Sequence, residues 1–134
     1  MDILQHFSAA RQVLSVPPGL ILFAEGDQGA LMYILVEGEA DIAVGGEVVE
    51  VATPPAFLGE MALIDQPVRS ATVTSRTECK LLSVGQREFD LLVRESPEFA
   101  REVMRSVCTR LRATNDKLMQ AIGEVTVRGQ KPRA

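Results

Sequence analysis

Between Arg11 and Val84 the apolar runs are short, and turn residues recur at close intervals: Pro17-Pro18-Gly19, Glu25-Gly26-Asp27-Gln28-Gly29, Glu37-Gly38-Glu39, Gly45-Gly46 and Pro54-Pro55. Long helices do not survive that density of glycine and proline, which respectively loosen and block the helical backbone. Short strands with turns between them do, and their regular spacing points to an antiparallel sandwich or barrel. Ala40 to Val51 reads as a hairpin, with Gly45-Gly46 supplying the positive φ angles of a two-residue turn. Pro54-Pro55 stiffens the approach to the segment that follows.

On either side of this region the periodicity becomes helical. Ile3, Leu4, Phe7 and Ala10 have helical spacing behind Asp2 as N-cap. Gln86 to Val93 places Phe89, Leu92 and Val93 on one face. Ser96-Pro97-Glu98 is a helix start, with serine as cap, proline in the first position and an acid in the first turn. The helix it opens should run to about Ile122, before Gly123. Along it, Met104, Val107, Leu111, Thr114, Leu118, Ala121 and Val125 alternate in steps of three and four, the spacing of a heptad seam. Phe99, Ala100 and Val103 form a second apolar edge that should meet the body of the domain. The seam either docks on the barrel or pairs with a second copy. Self-association is the preferred reading, because a long helix carries more apolar face than one docking site covers.

With 134 residues the chain is sized for one domain with its own core. A net charge of −4 argues against a nucleic-acid-binding face, yet leaves room for a small anionic ligand held by local donors. No apolar run nears the ~20 residues of a membrane span, and the N-terminus lacks signal-peptide architecture, so a cytoplasmic protein is expected. Cys79 and Cys108 have no metal-type spacing and read as free thiols. His6 stands without a partner ligand and reads as a surface or packing residue; no metal and no cofactor are expected.

The segment richest in chemistry is Phe57-Leu-Gly-Glu-Met-Ala-Leu-Ile-Asp-Gln-Pro-Val-Arg-Ser-Ala-Thr-Val73. A helix start offers backbone N–H groups to an anion. Arg69 offers a planar fork that fits phosphate oxygens, and Glu60 accepts hydrogen bonds from hydroxyls. Gly59 lets backbone approach a ligand.

Gly59-Glu60-Met61-Ala62-Leu63 followed by Arg69-Ser70-Ala71-Thr72-Val73 resembles the phosphate-binding cassette of the cyclic nucleotide-binding domain family. Gly19, Glu25-Gly26-Asp27, Met32 to Ala40 and Ser96-Pro97 extend the likeness over nearly the whole chain. It resembles the ligand-binding half of the catabolite activator branch, without that branch's helix-turn-helix. The resemblance implies a mainly β, α+β fold: an antiparallel β-roll or jelly-roll with a short N-terminal helix, a short cassette helix and a long C-terminal helix. The domain should cover residues 1–125, with the roll at about 11–84 and the C-terminal helices at about 86–122. Residues 126–134, with Arg128, Lys131 and Arg133, should be a polar basic tail too short for a DNA-reading head.

The resemblance also implies roles. The backbone of Glu60, Met61 and Ala62 and the Arg69 fork would hold a cyclic phosphate, with Ser70 adding a hydroxyl. Glu60 would take the ribose 2′-OH. Thr114 and Asn115 match the pair with which the family's activators contact the base; without the resemblance they are a polar step in the seam. Ser70, where guanine-binding members often carry threonine, leans towards cyclic AMP over cyclic GMP. The expected function is a cyclic nucleotide sensor that signals through its C-terminal helix to a downstream protein, as a homodimer. The alternative is a ligand-free interaction module with a relict pocket. An enzyme finds no support: the chain has no nucleophile elbow and a single histidine. A haem or iron–sulfur sensor lacks the ligands.

Overall fold

The computed structural model describes residues 13–128, with side chains to residue 123. The helix expected over Asp2–Ala10, with His6, and residues 129–134 of the expected tail, with Lys131 and Arg133, lie outside the described residues, whereas residues 126–128 belong to the last helix rather than to a tail. Eight strands come first or flank a short helix: β1 (Leu14–Val16), β2 (Ile21–Phe23), β3 (Leu31–Glu37), β4 (Ala40–Val44), β5 (Glu47–Ala52), β6 (Ala56–Leu58), α1 (Met61–Ile64), β7 (Thr72–Ser75) and β8 (Cys79–Gly85). Two helices follow, α2 (Gln86–Glu95) and α3 (Pro97–Arg128).

The strands form two antiparallel sheets, ordered β1-β8-β3-β6 and β2-β7-β4-β5. Pairings are nested: β4 with β5, β3 with β6, β2 with β7, β1 with β8. One long ribbon has thus been folded over on itself, which is the expected jelly-roll. The β4–β5 hairpin turns at Gly45 and Gly46, at φ +59° and +82°, as a two-residue turn requires.

The unbroken apolar run in β3 follows from burial on both faces. Met32 and Ile34 face a helical layer, where they pack with Phe57, Leu82, Val84, Phe89, Leu92, Phe99 and Val103. Leu35, on the opposite face, joins Ile42, Leu58, Val73, Cys79 and Leu81 inside the roll. One wall therefore serves two cores. Phe99 is wholly buried and meets Phe57 and Phe89 edge-on, at 5.7 and 6.0 Å between ring centroids. Such pairs add about 0.5–1.5 kcal/mol each beyond area burial.

Phe99 and Val103 thus anchor the start of α3 as their spacing implied. Ser96 caps the helix, its Oγ accepting the Phe99 N–H at 3.2 Å. The expected end near Ile122 is corrected, because α3 continues through Gly123 to Arg128. A lone glycine costs a helix only about 1 kcal/mol relative to alanine, too little to stop it. Beyond the anchor α3 is lightly covered, and Met104, Leu111, Leu118, Met119 and Ile122 are exposed. Cys79 is buried in the roll and Cys108 is exposed on α3, both as free thiols. Among the described residues no helix is long and apolar enough to cross a membrane.

Candidate functional site

The chain leaves β6 at Leu58 and turns at Gly59, where φ is +79°. A side chain there would be strained, and a Cβ would sit 2.4 Å from Arg69 Nη1 and 3.2 Å from Phe23 Cζ. Glu60 and the single turn of α1 follow. The loop then returns to place Arg69 beside its starting point.

The backbone of Arg69 is clamped by the turn before β3. Its N–H donates to Asp27 O at 2.7 Å, and its carbonyl accepts from Gly26 N–H at 2.8 Å. This explains the Glu25-Gly26-Asp27 cluster, whose glycine takes a φ of +89°. The Arg69 side chain is only 6% exposed. Its guanidinium lies over the Phe23 ring, 4.0 Å from the centroid, and Nη1 donates to Gly59 O at 3.3 Å. Phe23 in turn stacks on Tyr33, at 6.3 Å. Burial lowers the Arg69 pKa from its ordinary value, while Tyr33 and Asp27 pull it back up. An arginine so placed keeps its charge.

Glu60 is fully buried. Its Oε1 accepts from Arg110 Nη1, on α3, fifty positions along the chain. Arg110 Nη2 donates to Phe57 O, and Arg110 Nε lies 3.3 Å from Glu50 Oε1, on β5. One guanidinium thus ties α3 to the cassette, to β6 and to the hairpin. Two buried polar atoms of the cassette are left without a hydrogen-bond partner, Glu60 Oε2 and Arg69 Nε. Buried polar atoms are normally satisfied, so each such exception asks for an explanation.

Glu60, Arg69 and Arg110 line one small cavity of about 20 Å³ beside Phe23 and Gly59. It adjoins a larger apolar cleft of about 290 Å³ between the roll and α3, bounded by Ile42, Val44, Val49, Met61, Ala71, Val107, Leu111 and Thr114. One end of this space is charged and hydrogen-bonding, and the other is apolar and walled by a helix. Such an arrangement suits a ligand with an anionic, hydroxylated part and a flat, less polar part.

Of the sequence-predicted site residues, Gly59, Glu60, Met61, Ala62, Arg69 and Ser70 come together around the small cavity. Ser70 Oγ faces the Met61 sulfur at 3.1 Å. The Ala62 N–H donates to Gly59 O at 3.3 Å, a long bond. Thr114 bounds the apolar cleft, whereas Asn115 is exposed and does not line either space. Sequence reasoning missed Phe23, Gly29, Glu50 and Arg110. A Cβ on Gly29 would lie 2.3 Å from Arg69 Nε, so this glycine is part of the arginine's seat. Arg110 had a signal: it precedes Thr114 by four, one helical turn on the same face.

A family model described as a cyclic nucleotide-binding domain matches residues 13–96. The chain is 38% identical over 95 residues to a cyclic nucleotide-gated potassium channel of Rhizobium etli, covering 71% of this chain and 26% of that one. It is 28% identical over 116 residues to a CRP-like cAMP-activated global transcriptional regulator of Mycobacterium tuberculosis, covering 83% of this chain and 52% of that one. Among solved structures, the catabolite activator protein of Thermus thermophilus superimposes with a TM-score of 0.68 at 26% identity, over 88% of this chain and 56% of that one. The chain therefore spans between a quarter and about half the length of the curated relatives it resembles.

Proposed function

The chain belongs to the cyclic nucleotide-binding domain family, and we propose that it is a regulatory sensor of a cyclic purine mononucleotide. The observation that carries this reading is the pair of orphaned atoms, Glu60 Oε2 and Arg69 Nε, buried on residues that line a single cavity. A carboxylate with a bare oxygen beside a desolvated guanidinium matches a ligand bearing both a hydroxyl and a phosphate.

In this reading Arg69 and the backbone around Glu60-Met61-Ala62 hold the cyclic phosphate, and Ser70 adds a hydroxyl. Glu60 takes the ribose 2′-OH. The purine enters the apolar cleft, where Thr114 meets its edge. Asn115, exposed on the same helix, reaches a base only if the helix or a second chain rearranges around it. Ser70 favours cyclic AMP over cyclic GMP. The site binds and releases; the family's role is regulatory, and no catalytic residue is assigned. Signalling runs through α3, because the ligand and Arg110 both engage Glu60, and a ligand that favours one helix position shifts the population towards it. The exposed seam of α3 pairs with a second copy, and the output passes to a downstream protein.

Calorimetric titration with cyclic AMP and cyclic GMP, on wild type and Arg69→Ala at equal ionic strength, tests the reading. Loss of the guanidinium leaves a buried anion without its partner, at about 3–5 kcal/mol, or roughly two to four decades in Kd. Arg69→Lys should also bind weakly, since a point charge does not replace a fork. A loss below about threefold in Arg69→Ala would refute the cassette assignment. Absence of any thermal shift with either nucleotide would favour the ligand-free interaction module.

A further inference from the structure

Arginine and carboxylate pairs are commonly bidentate, two N–H groups on two oxygens. Arg110 and Glu60 are both sheltered from solvent and adjacent, yet only Glu60 Oε1 is engaged, and Oε2 has no partner. The other edges of the guanidinium explain why. Nη2 is committed to Phe57 O, and Nε lies 3.3 Å from Glu50 Oε1. That last contact is an ion pair without a hydrogen bond, since neither Nε nor Glu50 Oε1 has a hydrogen-bond partner. It therefore acts on the guanidinium by charge attraction alone.

Resting on the function proposed above, we infer that Glu50 is a positioning residue for ribose recognition. By competing for Arg110 it keeps the Arg110–Glu60 pair monodentate, and so keeps Glu60 Oε2 free to accept a 2′-hydroxyl. Glu50 itself borders neither the small cavity nor the apolar cleft, so it acts only through Arg110. With its charge removed, the guanidinium is free to turn so that the second N–H of Nη2, whose first is held by Phe57 O, donates to Glu60 Oε2 beside the Nη1–Oε1 bond. The acceptor is then occupied before the ligand arrives, and the site stops distinguishing a ribose from a deoxyribose.

The test compares cyclic AMP with 2′-deoxy cyclic AMP on the full chain by calorimetry. Wild type should prefer the ribo ligand by about fivefold or more, the cost of leaving a buried acceptor unpaired. Glu50→Gln should bring that ratio close to one by weakening the ribo ligand, with affinity for the deoxy ligand held within about twofold. Glu50→Asp, which keeps the charge, should retain part of the preference. Lysine cannot form a fork, so in an Arg110→Lys background Glu50→Gln should leave the ratio unchanged. A ratio unaltered in Glu50→Gln overturns the inference. So does an equal loss of both ligands, which marks a general structural role. A crystal structure of Glu50→Gln without nucleotide tests the rearrangement apart from binding: Arg110 bidentate on Glu60 supports it, and Arg110 unmoved refutes it. A wild type that binds neither nucleotide would sink the function proposed above and leave that structure to decide this inference.

Discussion

Gly29→Ala is a small change, and the structure gives it a large reach. A Cβ at this position would lie 2.3 Å from Arg69 Nε, 2.5 Å from Cζ and 2.9 Å from Cδ. Heavy atoms in contact sit about 3.5–4.0 Å apart, so the guanidinium must shift by more than about 1 Å. It has little room: Phe23 covers one face at 4.0 Å, and the Gly59 carbonyl holds Nη1. Because the obstacle is the end of a side chain, the fold should absorb the methyl at about 1–3 kcal/mol, the usual range for overpacking. For a chain of this size that is a fall in Tm of several degrees. Ligand affinity should suffer more, by about 10- to 100-fold, since a misplacement near 1 Å in a positioned group costs up to about that much. Melting curves and calorimetry on wild type, Gly29→Ala, Arg69→Ala and the double variant separate the two effects. In the Arg69→Ala background the methyl has nothing to strike, so its stability cost should vanish, a strong non-additivity between neighbours. If Gly29→Ala binds nucleotide within about threefold of wild type, or costs the same stability with and without the Arg69 side chain, the seat described for Arg69 is wrong.

Two further outcomes are expected. Leu118 is 57% exposed on α3 and lies outside the cleft, so Leu118→Glu should dissociate a dimer built on the helical seam without altering nucleotide affinity in the monomer; sedimentation velocity showing the same dimer in wild type and variant would place any interface elsewhere. Burial raises the Cys79 thiol pKa above its ordinary value of about 9, ahead of the opposing influence of its hydrogen bonds with Thr77 and Glu39. The folded chain therefore holds this proton more tightly than the unfolded chain, and the stability it contributes is full below about pH 9 and lost as pH rises towards the folded value. Ellman's reagent at pH 8 should accordingly count one fast thiol, Cys108, in the native protein and two after denaturation; rapid reaction of both in the native protein would refute the burial of Cys79.

What could be read in advance was what is local. Gly45-Gly46 encodes its hairpin within four residues, and Ser96-Pro97-Glu98 encodes a helix start within three. The cassette runs unbroken from Gly59 to Ser70, so its own share of the cavity lining could be gathered without knowing the fold. Phe23, Gly29, Glu50 and Arg110 escaped because each enters the site through tertiary packing. Arg110 meets Glu60 across fifty positions of chain, and Glu50 meets it only because β5 lies along α3. Gly29 stands in a cluster of turn residues, where loop geometry was a sufficient reason for a glycine; only the folded chain shows that its missing side chain makes room for an arginine. The end of α3 was misplaced for a different reason. Gly123 has the look of a stop, but stopping a helix takes more than the weak local preference of one residue.

The length of α3 has a mechanical meaning. The helix is gripped by the core at Phe99 and Val103, and its axis continues to Arg128. Those last 25 positions, counted from Val103, extend about 38 Å at a rise of about 1.5 Å per residue. The helix is thus a rod fixed near one end, with Arg110 as a tether about 10 Å beyond the fulcrum. A tilt of about 5° at the fulcrum shifts the helix by about 1 Å at the tether and by about 3 Å at Arg128. Displacements too small to disturb the packing of the roll are thereby multiplied roughly threefold or more at the distal end of the helix.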